Sequence, residues 1–287
     1  MVTMKNLSMA TASATLITCG MLVGNQGAFA FTIGYFTDFN EFTTAPAAPI
    51  NQAGFTPVQI TDISTFDLNT IDSLLVNESS NSGLSADLSG RLGDIESWVR
   101  DGGSFIVHDR FVANTIGVPQ SNPFLIGAPT TLVQRDFSNG ADLDLIPMNN
   151  TLVTNGNGPG GAIDNLTLDG GNFSNHGYAL AETLPVGATG ILSAGPDPDK
   201  VAAFSYGLGS GSVYYSTIPL DFYLEGFGPN PPRDEFNTVY APNAQAYVEE
   251  LQQATPVPEP ASVLGILAVG TLGAGSVLKR KQEHKAY

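Results

Sequence analysis

Cysteine is nearly absent from this chain: the single one, Cys19, stands among the first thirty residues. If that leader is removed, the remainder has no disulfide, no thiolate metal site and no cysteine nucleophile. Positive charge is scarce as well, with 11 Lys and Arg against 27 Asp and Glu. Residues 31–260 hold six basic residues (Arg91, Arg100, Arg110, Arg135, Lys200 and Arg233) against 26 acidic ones, a balance of −20. Such a surface repels nucleic acid and anionic lipid, so neither is expected as a partner. Long apolar runs are missing from the body of the chain and occur only at its two ends.

Each end has the composition of an address. Lys5 precedes the apolar stretch Met9–Val23, and Ala28-Phe29-Ala30 forms an A-x-A pattern. Together they predict a secretory signal peptide over 1–30, cut by signal peptidase near Phe31. Leu16-Ile17-Thr18-Cys19 resembles a lipoprotein box, but Thr before the cysteine fits it less well than Ala28 and Ala30 fit signal cleavage. At the other end, 261–278 is an uncharged run of Leu, Val, Ala and Gly. Its eighteen residues span about 27 Å as a helix, near the thickness of a bilayer core. Lys279, Arg280 and Lys281 follow directly and would hold that end in the cytoplasm. A buried core helix is the alternative, although the run shows no polar face.

Pro258-Glu259-Pro260, the apolar run and Lys279-Arg280-Lys281 resemble, in that order, the PEP-CTERM signal of exported bacterial proteins. The resemblance covers 256–282 and implies processing by an exosortase, a membrane transpeptidase acting near Pro-Glu-Pro. It implies a place in the cell envelope, with release or outer-surface attachment after processing, and an association with exopolysaccharide. It says nothing about the activity of residues 31–255.

Between the two addresses, strand and helix patterns alternate. "FTIGYFT", "TPVQIT" and "DSLLVN" read as strands. Ser85 then caps a helix whose apolar face is Leu88, Leu92, Ile95, Trp98 and Val99, ended by Gly102 or Gly103. "SFIVH" follows as a buried strand, which completes a βαβ unit and predicts a parallel sheet covered by helices. Residues 114–175, rich in Asn, Gly and Pro, read as a loop-rich insertion. "VAAFSYGLGSGSVYYSTI" reads as an antiparallel hairpin and "APNAQAYVEELQQA" as a final helix. The glycines of the hairpin have the wrong spacing for a nucleotide-binding loop and are followed by a strand.

"DSLLVNESS", "LSGRLGDIESWVRDGGSFIVHD" and "VAAFSYGLGSGSVYYSTIPLDFY" are similar to the core of class I glutamine-amidotransferase-like domains. The trehalose-utilisation-type branch, with a His after its Gly-Gly strand, is the nearest in wording. The resemblance implies an α/β, flavodoxin-like three-layer sandwich with a mainly parallel sheet. That family uses a cysteine in a strand-to-helix turn, and here Asp109-Arg110-Phe111 follows the strand instead. Glutaminase chemistry by that route is excluded, and no G-x-S-x-G elbow offers a serine in its place.

Ligands of open parallel sheets sit beyond the C-terminal ends of the strands. Those ends supply Asp38, Asn77, Glu78, His108, Asp109 and Asp221, with His176 brought over from the insertion. His108, Asp109, His176 and Asp221 are candidates for acid–base catalysis or for a divalent metal. Strand ends equally carry Asp and Asn as turn and cap residues. "ADLDL" and "GPDPDK" offer carboxylates suited to a structural calcium ion, though neither is an EF-hand loop. No other cofactor is indicated. Tyr206, Tyr214, Tyr215, Phe222, Tyr223 and Phe227 offer rings for sugar stacking, about half of which strand alternation would bury.

Two readings emerge. The first is an exported, non-enzymatic surface or matrix protein that binds exopolysaccharide or divalent cations through residues 114–175. The second is a secreted hydrolase-like or metal-dependent enzyme using His108, Asp109 and His176.

Overall fold

A computed structural model describes residues 31–138, 142–146, 149–169 and 173–254. The expected signal peptide and the expected membrane span 261–278 lie outside the described residues. Among the described residues no helix is long and apolar enough to cross a membrane.

In chain order the elements are β1 (Thr32–Asp38), α1 (Ala47–Gln52), β2 (Thr56–Gln59), β3 (Ser73–Glu78), α2 (Ala86–Arg100) and β4 (Ser104–Asp109). Then come the short strands β5 (Gln120–Ser121), β6 (Leu132–Arg135), β7 (Leu143–Leu145) and β8 (Gly177–Leu180). They are followed by β9 (Thr189–Ala194), β10 (Lys200–Leu208), β11 (Gly211–Ser216), α3 (Leu220–Leu224), α4 (Pro232–Glu235) and α5 (Ala241–Ala254). All strands join one sheet in the order β2-β1-β3-β4-β11-β10-β8-β6-β5, with β9 also on β10 and β7 on β9.

The architecture is mixed α/β, and the expectation of a mainly parallel sheet needs correcting. Strands β2, β1, β3, β4 and β11 run parallel. The other pairings, from β11–β10 onward, are antiparallel. Much of that second half comes from residues 114–175, which contribute β5, β6 and β7. Strands of two to four residues are too short to show a period of two, so their sequence reads as loop.

The pleat sorts the core into two layers. Ile33, Tyr35, Leu75, Ile106 and Tyr214 face Ile50 of α1 and Ala244 and Val248 of α5. Phe36, Leu74, Val76, Phe105, Val107 and Tyr215 face Leu88, Ile95 and Val99 of α2. Each Ile, Leu, Val or Phe among them contributes about 1.5–3 kcal/mol when fully buried. The Ser85 hydroxyl caps α2 by accepting from Leu88 N–H at 3.2 Å, as its sequence predicts. Past the helix end, Gly102 has φ +123°. A Cβ on Gly103 would stand 2.3 Å from the Trp98 ring, which is why two glycines make this turn.

From β1 the chain crosses by α1 to β2 on one side, while β3 crosses by α2 to β4 on the other. The crevice where the winding reverses, at the C-terminal ends of β1 and β3, is where open α/β sheets usually take ligands.

Candidate functional site at the strand ends

Three strands run one residue further than their apolar pattern suggests, and in each case that residue is a carboxylate. Asp38, Glu78 and Asp109 are register partners across β1, β3 and β4, in the last rung of the ladder, and all three are buried. Thr37, Asn77, His108 and Ser216 form the rung before it and point to the opposite face.

Each carboxylate organises backbone. Asp109 Oδ1 accepts from Phe111 N–H at 3.0 Å and Val112 N–H at 2.9 Å. Its Oδ2 accepts from Asn122 Nδ2 at 2.6 Å and from the Tyr215 hydroxyl at 2.7 Å. Asp38 Oδ2 accepts from Ser85 N–H at 2.8 Å, holding the cap residue of α2. Glu78 Oε1 accepts from Ser80 N–H at 2.7 Å, while Oε2 has no partner. Burial, with the charge of Asp109 next and those of Asp38 and Asp221 adding, pushes Glu78 up to about 9. At neutral pH it therefore carries a proton. Burial also raises Asp38 and Asp109.

His108 faces away from this row. Its Nδ1 shares a 2.7 Å hydrogen bond with the Ser216 hydroxyl, and its ring lies against Tyr214 and edge-on to Tyr240. Burial drives it down to about 3, so the imidazole is neutral at any physiological pH. His176 Nδ1 donates to the Arg110 carbonyl at 2.6 Å, between the rings of Phe137 and Phe173. Burial lowers it to about 4. Asp221 accepts from Arg110 Nη1 at 2.7 Å, yet burial outweighs that cation and holds it up at about 6.

Thus Arg110 links Asp221 to His176, through its side chain and its carbonyl, while His108 and Asp109 stand on opposite faces. Among the described residues His108 meets Ser216, Tyr214 and Tyr240, whereas His176 meets Arg110, Phe137 and Phe173. Among the described residues no three His, Cys, Asp or Glu side chains are placed to hold a metal ion. Arg110, Asn122, Tyr215 and Ser216 do the holding here. Nothing local in the sequence marks these pairings, because Arg110, Tyr215 and Ser216 meet partners 106 to 111 positions away and Asn122 meets Asp109 across an irregular loop.

The other candidates disperse. Tyr206, Tyr214, Tyr215 and Tyr223 are buried, Phe222 is half-buried and only Phe227 is exposed. Asp144, in β7, accepts from the Asn165 side-chain amide 21 positions on, and Asp197 accepts from Asp199 N–H as in an ordinary turn. An open cleft of about 730 Å³ lies between α2 and residues 121–129, lined by Leu92, Arg100, Asn122 and Ile126. It includes none of the predicted catalytic groups.

Comparison with known proteins adds an address. Residues 256–281 match the PEP-CTERM protein-sorting motif, which implies export, envelope association and exosortase processing. No curated protein matches the chain. Similar solved structures include a cytoplasmic protein from Salmonella typhimurium (11% identity, TM-score 0.43, 74% of this chain and 97% of that one). A putative GMP synthase subunit from Thermoplasma acidophilum is 13% identical with a TM-score of 0.42, over 78% and 98%. A putative ThuA-like protein from Bacteroides uniformis is 11% identical with a TM-score of 0.38, over 77% and 91%. The last belongs to the group that the sequence resemblance names. Likeness at this level carries nothing about chemistry.

Proposed function

We propose that this is an exported, envelope-associated protein that acts by binding extracellular polysaccharide and not by catalysis. The sorting motif supports the exported, envelope-associated part of this reading, and the state of the strand-end groups supports the absence of catalysis. Asp109 spends all four of its acceptor positions on backbone and core side chains. His108 is buried and neutral, and His176 is tied to a carbonyl. A general base needs a pKa near the operating pH and access to a substrate proton. Both histidines are buried and lowered to about 3 and about 4, so the lone pair left at His176 Nε2 is enclosed and weakly basic. Asp109 and His176 instead pin the turn after β4, and His108 joins β4 to β11.

On this reading 1–30 is a signal peptide, 31–255 a flavodoxin-like domain and 261–278 a membrane helix preceding Lys279, Arg280 and Lys281. The domain assignment is supported by the order of the parallel strands and by helices on both faces of the sheet. The membrane assignment is supported by the sorting motif and the uncharged run within it.

The test is made in a host that processes such tails. The natural chain is expected in the envelope and matrix fractions, shortened at its C-terminus and eluted by soluble polysaccharide. Replacing Pro258, Glu259 and Pro260 with Ala should leave an unshortened precursor. Identical processing of that variant would refute the sorting reading. A mature protein that washes off the matrix without sugar would refute the binding reading.

A further inference from the structure

The chain enters and leaves this domain at one edge of the sheet. Thr32 N–H donates to Asp72 Oδ2 at 2.7 Å, and Asp72 stands just before β3. Near the end of α5, Gln252 Nε2 donates to the Gly102 carbonyl at 2.7 Å, just before β4. The start of α5 lies at the other edge, where Tyr240 meets His108. Residues 31 and 254 therefore both sit where the parallel strands begin, two residues short of the sorting motif at 256–281. The edge where the strands end lies opposite both of these described ends.

That far edge carries exposed phenylalanine rings. Phe39 is 54% exposed, Phe42 80% and Phe227 55%. Phe39 also has φ +63°, a left-handed conformation uncommon and strained outside glycine. Burial does not repay that strain here, and Asn or Gly would serve the turn better. The Phe227 ring stacks on Phe222 at 5.6 Å, and the Arg110 guanidinium lies over Phe222. Asn40 Nδ2 donates to Glu225 Oε1, which ties the loop after β1 to the loop after α3.

Ring faces interleaved with amide and carboxylate groups suit a pyranose, whose C–H face stacks while its hydroxyls hydrogen-bond. The charge balance of −20 over residues 31–260 turns away polyanions. We propose that Phe39, Phe42 and Phe227, with Asn40 and Glu225, form the binding rim for a neutral polysaccharide. The proposal rests on the polysaccharide reading given above and names its site and ligand class.

The experiment is affinity electrophoresis of the full-length protein in mild detergent. Gels would contain a neutral β-glucan, a neutral galactomannan, a neutral α-glucan or alginate. The variants are Phe42→Ala/Phe227→Ala, Phe39→Asn and, as an exposed apolar control elsewhere, Leu166→Ala/Val186→Ala. At least one neutral polymer should retard the natural protein, with alginate weaker. The rim pair should lose about tenfold or more in affinity while the control pair keeps it. Phe39→Asn should bind more weakly yet unfold at a higher temperature, which a purely structural role for Phe39 does not produce. Equal retardation of rim and control variants, whether both keep or both lose it, would overturn the rim; if both keep it, the polysaccharide reading stands. Preference for alginate would overturn the neutral class. No retardation of the natural protein by any polymer would overturn both. Self-association that the rim pair abolishes, with no polymer bound, would assign the rings to a second copy of this chain instead.

Discussion

Glu78 is the residue whose chemistry departs furthest from its type. Its folded pKa, near 9, lies well above the ordinary 4.5, because burial and the neighbouring carboxylates disfavour its charge. A raised acid gives a stability contribution that is complete below about pH 4.5 and lost as pH rises through 9. His108 and His176 have the opposite sign. Their depressed values mean that stability is complete above about 6.5 and falls as pH drops toward 4 and 3. Above about pH 7 the histidine contributions are therefore constant, while Glu78, with the raised Asp38 and Asp109 acting in the same direction, lowers stability as pH rises. Denaturant midpoints should fall between pH 7 and 9, by at most about 1.4 kcal/mol per unit from Glu78. Glu78→Gln should flatten that slope and be more stable than the natural protein at pH 8. A Gln variant less stable at every pH would mean that the ionised form is held by something else. Asp109→Asn puts an NH2 where one carboxylate oxygen accepts two bonds, and should cost about 3–5 kcal/mol by leaving buried donors unpaired.

At the scale of elements, the parts legible in the sequence were those with a full period of pattern. The amphipathic face of α2, its Ser85 cap and the hairpin β10–β11 all stand where the residues place them. The carboxylates at the ends of β1, β3 and β4 were legible as strand ends but not as buried ladder positions. A charge at the end of an apolar run looks like a solvent-facing cap until the turn that donates to it is known. Nor were β5 to β8 legible, since they depend on partners far along the chain. Two local devices can be ranked by mutation. Ser85→Ala should cost about 1 kcal/mol, the usual worth of an N-cap. Gly103→Ala should cost about 1–3 kcal/mol, because the new methyl must displace the Trp98 ring at 2.3 Å. Thermal midpoints of the two variants would show the order, and a silent Gly103→Ala would mean that this ring moves freely.

For the whole molecule, topology sets two edges of the sheet apart. Both described ends of the domain sit at the edge where the parallel strands begin, and the exposed rings lie at the other edge. The same edge holds the buried acids and histidines whose types suggested catalysis in the sequence. Burial and pairing, invisible there, separate a structural seam from a reactive cleft. A protein of this kind should hold its polymer without cutting it. The most direct test is to incubate the full-length protein with a polysaccharide that it retards and follow reducing ends over many hours. The account predicts no release above the polymer alone while binding persists. Reducing ends that accumulate with the natural protein and stop with His176→Asn would contradict it, and would make the strand ends an active site.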